Sequence, residues 1–435
     1  MSRIFFLVVA LFLALSVSAG AETRGGSIGA NEQWSAANSP YLIESNLLIP
    51  EGVAVTVEPG VIVQLKEKTV VTIKGRFDAL GSPQSPIQFV PQNESARWGA
   101  LSYEDAGTGR MEHCLVRRGS TGGSNRIAMV NLYHGVSGVS IDSCTFEDWP
   151  DDFNSKATES YHSTAYMEIR RCWFGEGENE AVHGTGSPVT VEYCFFAPRR
   201  GYSDAVDVGD VQRPNPVPII RFNTFYGSED DAIDLDTCDA YVEGNFVMNC
   251  RGGIHDPIGI SGDKNAQPII VNNVVYNCEN GIAFKNGANI TVINNTIINC
   301  DKGIWMHQNP AHARVFNTLV WGRDDQVSIK LEPGSTIDIS YSLVKGDAPY
   351  TGEGNSNADP RLADAAALDF RLLPGSPAID AGQGAEGVLN VDFDGRNRID
   401  DPNVIDTGSG SPNYIDIGAF EFQPDAAGLG DWTLY

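Results

Sequence analysis

One short phrase returns ten times along the middle of the chain. It reads MEHCLV (111–116), IDSCTF (141–146), IRRCWF (169–174), VEYCFF (191–196), IRFNTF (220–225), VEGNFV (242–247), IVNNVV (270–275), VINNTI (292–297), RVFNTL (314–319) and ISYSLV (339–344). The fourth position is Cys114, Cys144, Cys172, Cys194, Asn223, Asn245, Asn273, Asn295, Asn317 and Ser342, in steps of 22 to 30 residues. A period this short, with no 3.6-residue pattern inside it, excludes helical repeats. It predicts an all-β chain: coils of three short parallel strands joined by turns and stacked into a solenoid. Equivalent residues of neighbouring coils then lie about 4.8 Å apart and form columns along the axis.

The columns can be read for chemistry. Asn223 to Asn317 form an amide column whose side chains satisfy buried backbone groups, a structural role. Cys114, Cys144, Cys172 and Cys194 occupy the same place on earlier coils, and Cys250, Cys278 and Cys300 make a second column; Cys238 stands apart. Neighbouring thiols fall within the Cα range of a disulfide, and they also suit a buried thiol ladder. No C-x-x-C spacing offers a zinc site. A second element follows many phrases, a small residue and then an apolar one: Ala181-Val182, Ala205-Val206, Ala232-Ile233, Gly253-Ile254, Gly281-Ile282 and Gly303-Ile304. The Val or Ile should point inward and the next residue outward.

The termini and the charge limit where this solenoid works. Residues 1–21 read as a signal peptide: basic Arg3, an apolar run from Ile4 to Val17, and Ala19-Gly20-Ala21 as the cleavage site. No later stretch is long and apolar enough to span a bilayer as a helix. The expectation is an exported, monomeric protein: secreted, periplasmic or at the cell surface. With 30 Lys+Arg against 56 Asp+Glu the formal net charge is −26, which argues against a nucleic-acid partner. Residues 22–98 read as an N-terminal cap and first coils, 99–345 as repeats, and 346–435 as a linker and closing segment that covers the strand edges.

The phrases resemble the right-handed parallel β-helix repeats of the pectate-lyase-like superfamily. Residues 41–89, after Trp34, look like the first coils of secreted β-helix proteins. DPRLADAAALDFRLLPGSPAIDAG (359–382) and YIDIGAFEF (414–422) look like a closing segment of such proteins. The resemblance covers nearly all of the mature chain, and it implies a fold that hosts many activities.

Two consecutive coils carry Ser203-Asp204-Ala205-Val206-Asp207 and Glu229-Asp230-Asp231-Ala232-Ile233-Asp234-Leu235-Asp236. The column rule stacks Asp207 on Asp234, with His183 on one side and His255 on the other, and Asp204 on Asp231. Carboxylates this close repel by about 1 kcal/mol per pair in water and several-fold more at an effective dielectric near 20. A hard cation removes that repulsion, and Ca²⁺, with its six to eight oxygen ligands in flexible geometry, suits Asp side chains from adjacent turns better than Mg²⁺. The expected ligands are Asp204, Asp207, Asp230, Asp231 and Asp234. Asp236, His183, His255, Trp305 and His307 share the face as candidate substrate contacts. Trp305, Trp321 and Tyr161 are candidate sugar-stacking rings.

The spacing D-D-x-x-D at Asp230, Asp231 and Asp234 resembles the calcium site of one pectate lyase family. That resemblance implies a further Asp from the preceding coil, matched by Asp204 or Asp207, and a Lys base on a nearby coil, for which Lys285 and Lys264 are candidates. It implies β-elimination on an acidic polysaccharide: calcium binds the uronate carboxylate, acidifies the C5 proton, and the Lys removes it. A hydrolytic pair among Asp207, Asp230, Asp231 and Asp234 and an epimerase centred on His255-Asp256 fit less well, since the phrases those enzymes need are partial or missing. The competing class is a non-catalytic β-helix that binds a cell-surface glycan, with calcium as a staple. The loop Asp392-Phe393-Asp394-Gly395 reads as a turn that could take a second cation.

Overall fold

The computed structural model describes residues 20–120, 128–133, 135–136, 138–150, 155–162, 166–253 and 256–424. The expected segment 1–21 lies outside it save for its last two residues. The described chain is a right-handed parallel β-solenoid whose coils each contribute up to three short strands. Of the two large sheets, one holds 13 strands and the other 25, the latter comprising two ladders that share the long strand Tyr41–Ile49; three two-stranded sheets are minor. Every neighbour within these ladders is parallel, as in Val206–Gly209 on Ile233–Asp236.

Each repeated phrase is a corner. Val189–Glu192 ends one strand, Tyr193 turns at φ 55°, and Cys194 leads into Phe195–Phe196. The corner residue is left-handed throughout: His113, Ser143, Arg171, Phe222, Asn272 and Asn294 take φ of 48° to 57°. Asn tolerates that region, and Gly244, at φ 61°, does so without a Cβ. The residue after the corner reaches across coils. Asn245 Oδ1 accepts from Asn223 N at 3.0 Å and Asn273 Oδ1 from Asn245 N at 2.9 Å. Further back Cys144 Sγ accepts from Cys114 N at 3.4 Å, so thiols and amides serve one ladder. All eight cysteines are free and buried. Inside, Phe146, Phe174, Phe196 and Phe225 stack with centroids 5.0, 4.8 and 4.6 Å apart, each burial contributing about 1.5–3 kcal/mol.

The structure corrects the last part of the amide column. Asn294 is in register with Asn317 because Ile293 pairs with Phe316, so Asn317 is a corner residue at φ 52°. Thr318 takes the ladder place, donating N–H to Ser342 Oγ at 3.1 Å. Asn317 instead bonds the C-terminal segment at Gln383, accepting at 2.6 Å and donating at 2.9 Å.

That segment lies along the flank of the solenoid. Phe370, Leu372, Ile379, Ile417 and Phe420 pack on Phe246, Met248, Val274, Ile298, Leu319 and Leu343, the outward apolar residues of one ladder. A short stretch adds backbone bonds to the terminal coil, where Glu353 O accepts from Tyr341 N at 2.7 Å and Ser356 O from Val344 N at 2.9 Å.

Candidate functional site

The ladder opposite that flank builds the site. Its strands run Lys156–Tyr161, Val182–Thr185, Val206–Gly209, Ile233–Asp236, Ile258–Asp263, Asn280–Lys285 and Lys302–His307. Val182, Val206, Ile233, Ile260, Ile282 and Ile304 stack inward in register. The next residues point outward as one column: Glu159, His183, Asp207, Asp234, Ser261, Ala283 and Trp305. Asp236 pairs with Asp263, and Lys285 with His307, two residues further along.

The register places Ser261, not His255, beside Asp234. The small-apolar phrase of that coil is Gly259-Ile260, six residues after Gly253-Ile254, because the preceding turn is longer. His255 and Ile254 lie outside the described residues.

Asp204, Asp230 and Asp231 bring one carboxylate oxygen each within 4.8 Å of one another. Asp231 N–H donates to Asp204 Oδ1 at 2.9 Å, and Ile258 N–H to Asp231 Oδ1 at 3.0 Å. Ser261 Oγ lies 2.5 Å from Asp231 Oδ2 and 3.0 Å from Asp234 Oδ1. A hydroxyl has one proton and can donate to only one of them. Burial first, and then mutual repulsion, hold Asp204, Asp231 and Asp234 well above the usual carboxylate range. Asp207 is raised by burial while His183 pulls the other way; its Oδ2 is 3.5 Å from His183 Nε2. His183 Nδ1 faces Glu159 Oε1 at 3.3 Å, and although burial opposes its charge, Glu159 and Asp207 raise its pKa.

The two lysines differ. Lys264 Nζ sits 3.1 Å from Asp236 and 3.5 Å from Asp263, and the Asp236 hydrogen bond raises its pKa, the opposite of what a base requires. Burial and Asp236 push Asp263 up to about 6. Lys285 is half-buried, and its charge lowers Asp231, Asp234 and Asp263 against their other neighbours. Trp305 is only 6% exposed, so it is not an open stacking platform; Trp321 packs beside the C-terminal segment, and Tyr161 stays 38% exposed. Tyr202, at 58%, is an exposed ring two residues from Asp204 whose hydroxyl feels Asp230, Asp204, Asp234 and Lys285.

Residues 208–361, under half of the chain, match the NosD family model, described as a periplasmic copper-binding protein. No curated protein matches. Among solved structures, pectate lyase Pel9A is 14% identical with a TM-score of 0.37, over 86% of this chain and 89% of that one. Tailspike protein 3 of bacteriophage CBA120 is 13% identical with a TM-score of 0.41, over 67% of this chain and 52% of that one, so this chain spans about half the tailspike's length. The Agl-KA catalytic domain is 12% identical with a TM-score of 0.35, over 66% and 63%. Among the described residues no helix is long and apolar enough to cross a membrane.

Elsewhere, both Asp392 oxygens already accept backbone bonds, Oδ1 from Arg396 N of its own turn at 2.8 Å and Oδ2 from Glu421 N of the final segment at 3.0 Å. The reading from sequence missed Ser261, Asp263 and Glu159. The first two were signalled by Gly259-Ile260; Glu159 follows no small-apolar pair, and nothing in its own coil marked it.

Proposed function

We propose that this is an exported β-helix protein that holds Ca²⁺ on its acidic coils and engages an anionic polysaccharide there, with β-elimination as its reaction. The observation that carries the reading is the triad of carboxylates within 4.8 Å, on adjacent coils, with the Lys285 charge acting on the same group. The fit to a cation rests on carboxylate oxygens from adjacent coils gathered within 4.8 Å and on carboxyls that burial and repulsion drive toward protonation. Asp204, Asp230 and Asp231 would hold the ion, with Asp207 and Asp234 beside them. An oxygen-only set suits a hard cation; copper, the metal in the matched family's name, prefers nitrogen and sulfur donors. Bound calcium would draw charge from a uronate carboxylate and stabilise the carbanion at C5.

The chain's own residues supply the rest. Lys285 Nζ would take the C5 proton; the C5–H pair forms the C4–C5 double bond, and the C4–O pair leaves on the departing sugar's oxygen, which takes a proton from water. Tyr202 lies exposed beside the cluster, where a ring can rest on a sugar face.

The test is ultraviolet absorbance of unsaturated uronate during incubation with polygalacturonate, alginate or chondroitin, with Ca²⁺ and with chelator. A calcium-dependent rise that Lys285→Ala abolishes is expected. No rise on any polymer, together with a calcium-dependent gain in melting temperature, would make the protein a calcium-stapled glycan binder.

A further inference from the structure

Beyond Lys285 the face changes sign. Trp305 stands three ladder steps from Asp234, about 14 Å along the axis. Its ring stacks on His307 at 3.8 Å and 17°. Lys302 Nζ lies 4.3 Å and Lys330 Nζ 4.7 Å from the Trp305 ring centroid, and Lys285 pairs in register with His307. Two ammonium groups thus lie over one ring in a chain of net charge −26. Asp256 and Glu332 are the acidic groups whose charge reaches His307.

The ring pair also has hydrogen-bonding capacity left over. Trp305 is 6% and His307 4% exposed, yet neither Trp305 Nε1 nor His307 Nδ1 has a hydrogen-bond partner. A buried donor without an acceptor costs about 1–3 kcal/mol. Lys302 spends one proton on Asn280 Oδ1 at 2.7 Å and keeps two. Burial and the nearby lysines hold His307 down to about 4, so it is a neutral imidazole at physiological pH that can donate one N–H.

We propose that Trp305, His307, Lys302 and Lys330 form a second subsite that binds an anionic oxygen group, a carboxylate or sulfate of the same glycan, so that the polymer lies along the solenoid axis from the acidic coils to this one. The inference rests on the calcium and polysaccharide reading above. It adds a direction and a minimum length: a ligand must span about 14 Å to use both ends.

The experiment compares a galacturonate dimer with a hexamer on the calcium-loaded full chain, by equilibrium binding before product absorbance rises. In Lys302→Gln/Lys330→Gln, hexamer affinity should fall about 10- to 100-fold, while dimer affinity and the calcium-induced rise in melting temperature stay unchanged. Lys330→Glu, on a half-buried position of the last strand of this ladder, gives the same loss without touching the Asn280 bond. Trp305→Phe, which keeps the ring and removes the N–H, should weaken the hexamer alone. Unchanged hexamer affinity in the lysine variants overturns this subsite and leaves the calcium reading standing. No binding of either ligand, nor of alginate or chondroitin oligomers of the same lengths, to the wild type overturns both.

Discussion

Two outward columns cross the same coils of this solenoid and handle charge in opposite ways. On the 13-stranded sheet the register runs Asp142, Arg170, Glu192, Arg221, Glu243, alternating in sign at every step. Arg170 Nε meets Glu192 at 2.8 Å and Arg221 Nη2 meets it at 2.5 Å. Burial alone would raise Glu192, but the two guanidiniums hold it below the usual carboxylate range. One ladder away, Asp207 stacks on Asp234 and Asp236 on Asp263, with Asp204 and Asp231 alongside; Asp204, Asp207, Asp231, Asp234 and Asp263 are pushed up. Both columns have the same spacing of about 4.8 Å, and like charges directly opposite are destabilising in any sheet. The alternating column is complete in itself. The acidic one calls for a charge from outside the chain, which is the physical case for a ligand there.

The largest expected effect follows from that asymmetry. Folded-state pKa values above the unfolded value mean that the folded chain binds more protons, so stability is highest below the usual Asp value of about 3.9 and falls as pH rises through the raised values. In chelator the melting temperature should decline across that window. Calcium at a hundred times its dissociation constant should add about 2.7 kcal/mol at neutral pH and flatten the decline. A flat profile in chelator would remove the distinction between the columns. Asp231→Asn separates the two terms. At neutral pH it should stabilise the chelated protein by about 1 kcal/mol, on the scale of one close pair in water, read as a higher melting temperature, and lose the calcium increment. A loss of stability in chelator would mean that the second Asp231 oxygen serves the Ser261 hydroxyl more than the charge repels its neighbours.

The alternating column gives the matching control. Glu192→Gln leaves two guanidiniums without their shared carboxylate. Both are over a third exposed in their side chains, so the cost should be about 1–2 kcal/mol rather than that of a fully buried pair. It should be the same with calcium and with chelator. A calcium-dependent cost would couple the two faces and break the comparison.

How much of this could be read from the chain depended on what each position needed. The corner phrase was legible because it combines an apolar strand end, a left-handed residue and a buried hydrogen-bonding side chain, a combination few sequences satisfy. Val206, Ile233 and Ile282 were legible because the inward face tolerates little else. Asn317 misled because corner and ladder both accept Asn, and only the pairing of Ile293 with Phe316 separates them. His255 misled because turn lengths between strands are free, so the small-apolar pair that marks a strand can occur early by chance. The alternating column was invisible for another reason: a charge's partner lies one whole coil away, 22 to 29 residues along the chain.

The smallest expected effect concerns Lys264, which the acidic face has already claimed. Its ammonium bridges Asp236 and Asp263 and is more than half exposed, so Lys264→Ala should cost under about 1 kcal/mol. Without that ammonium, the repulsion between Asp236 and Asp263 is less screened, and the pH at which Asp263 titrates should rise above its value of about 6. A base must surrender its proton near neutral pH, and a lysine whose pKa its neighbours raise does not. Lys264→Ala should therefore leave any uronate elimination intact where Lys285→Ala abolishes it. The reverse result would move the reacting sugar toward Asp236 and make Lys264, not Lys285, the cation through which the acidic column acts.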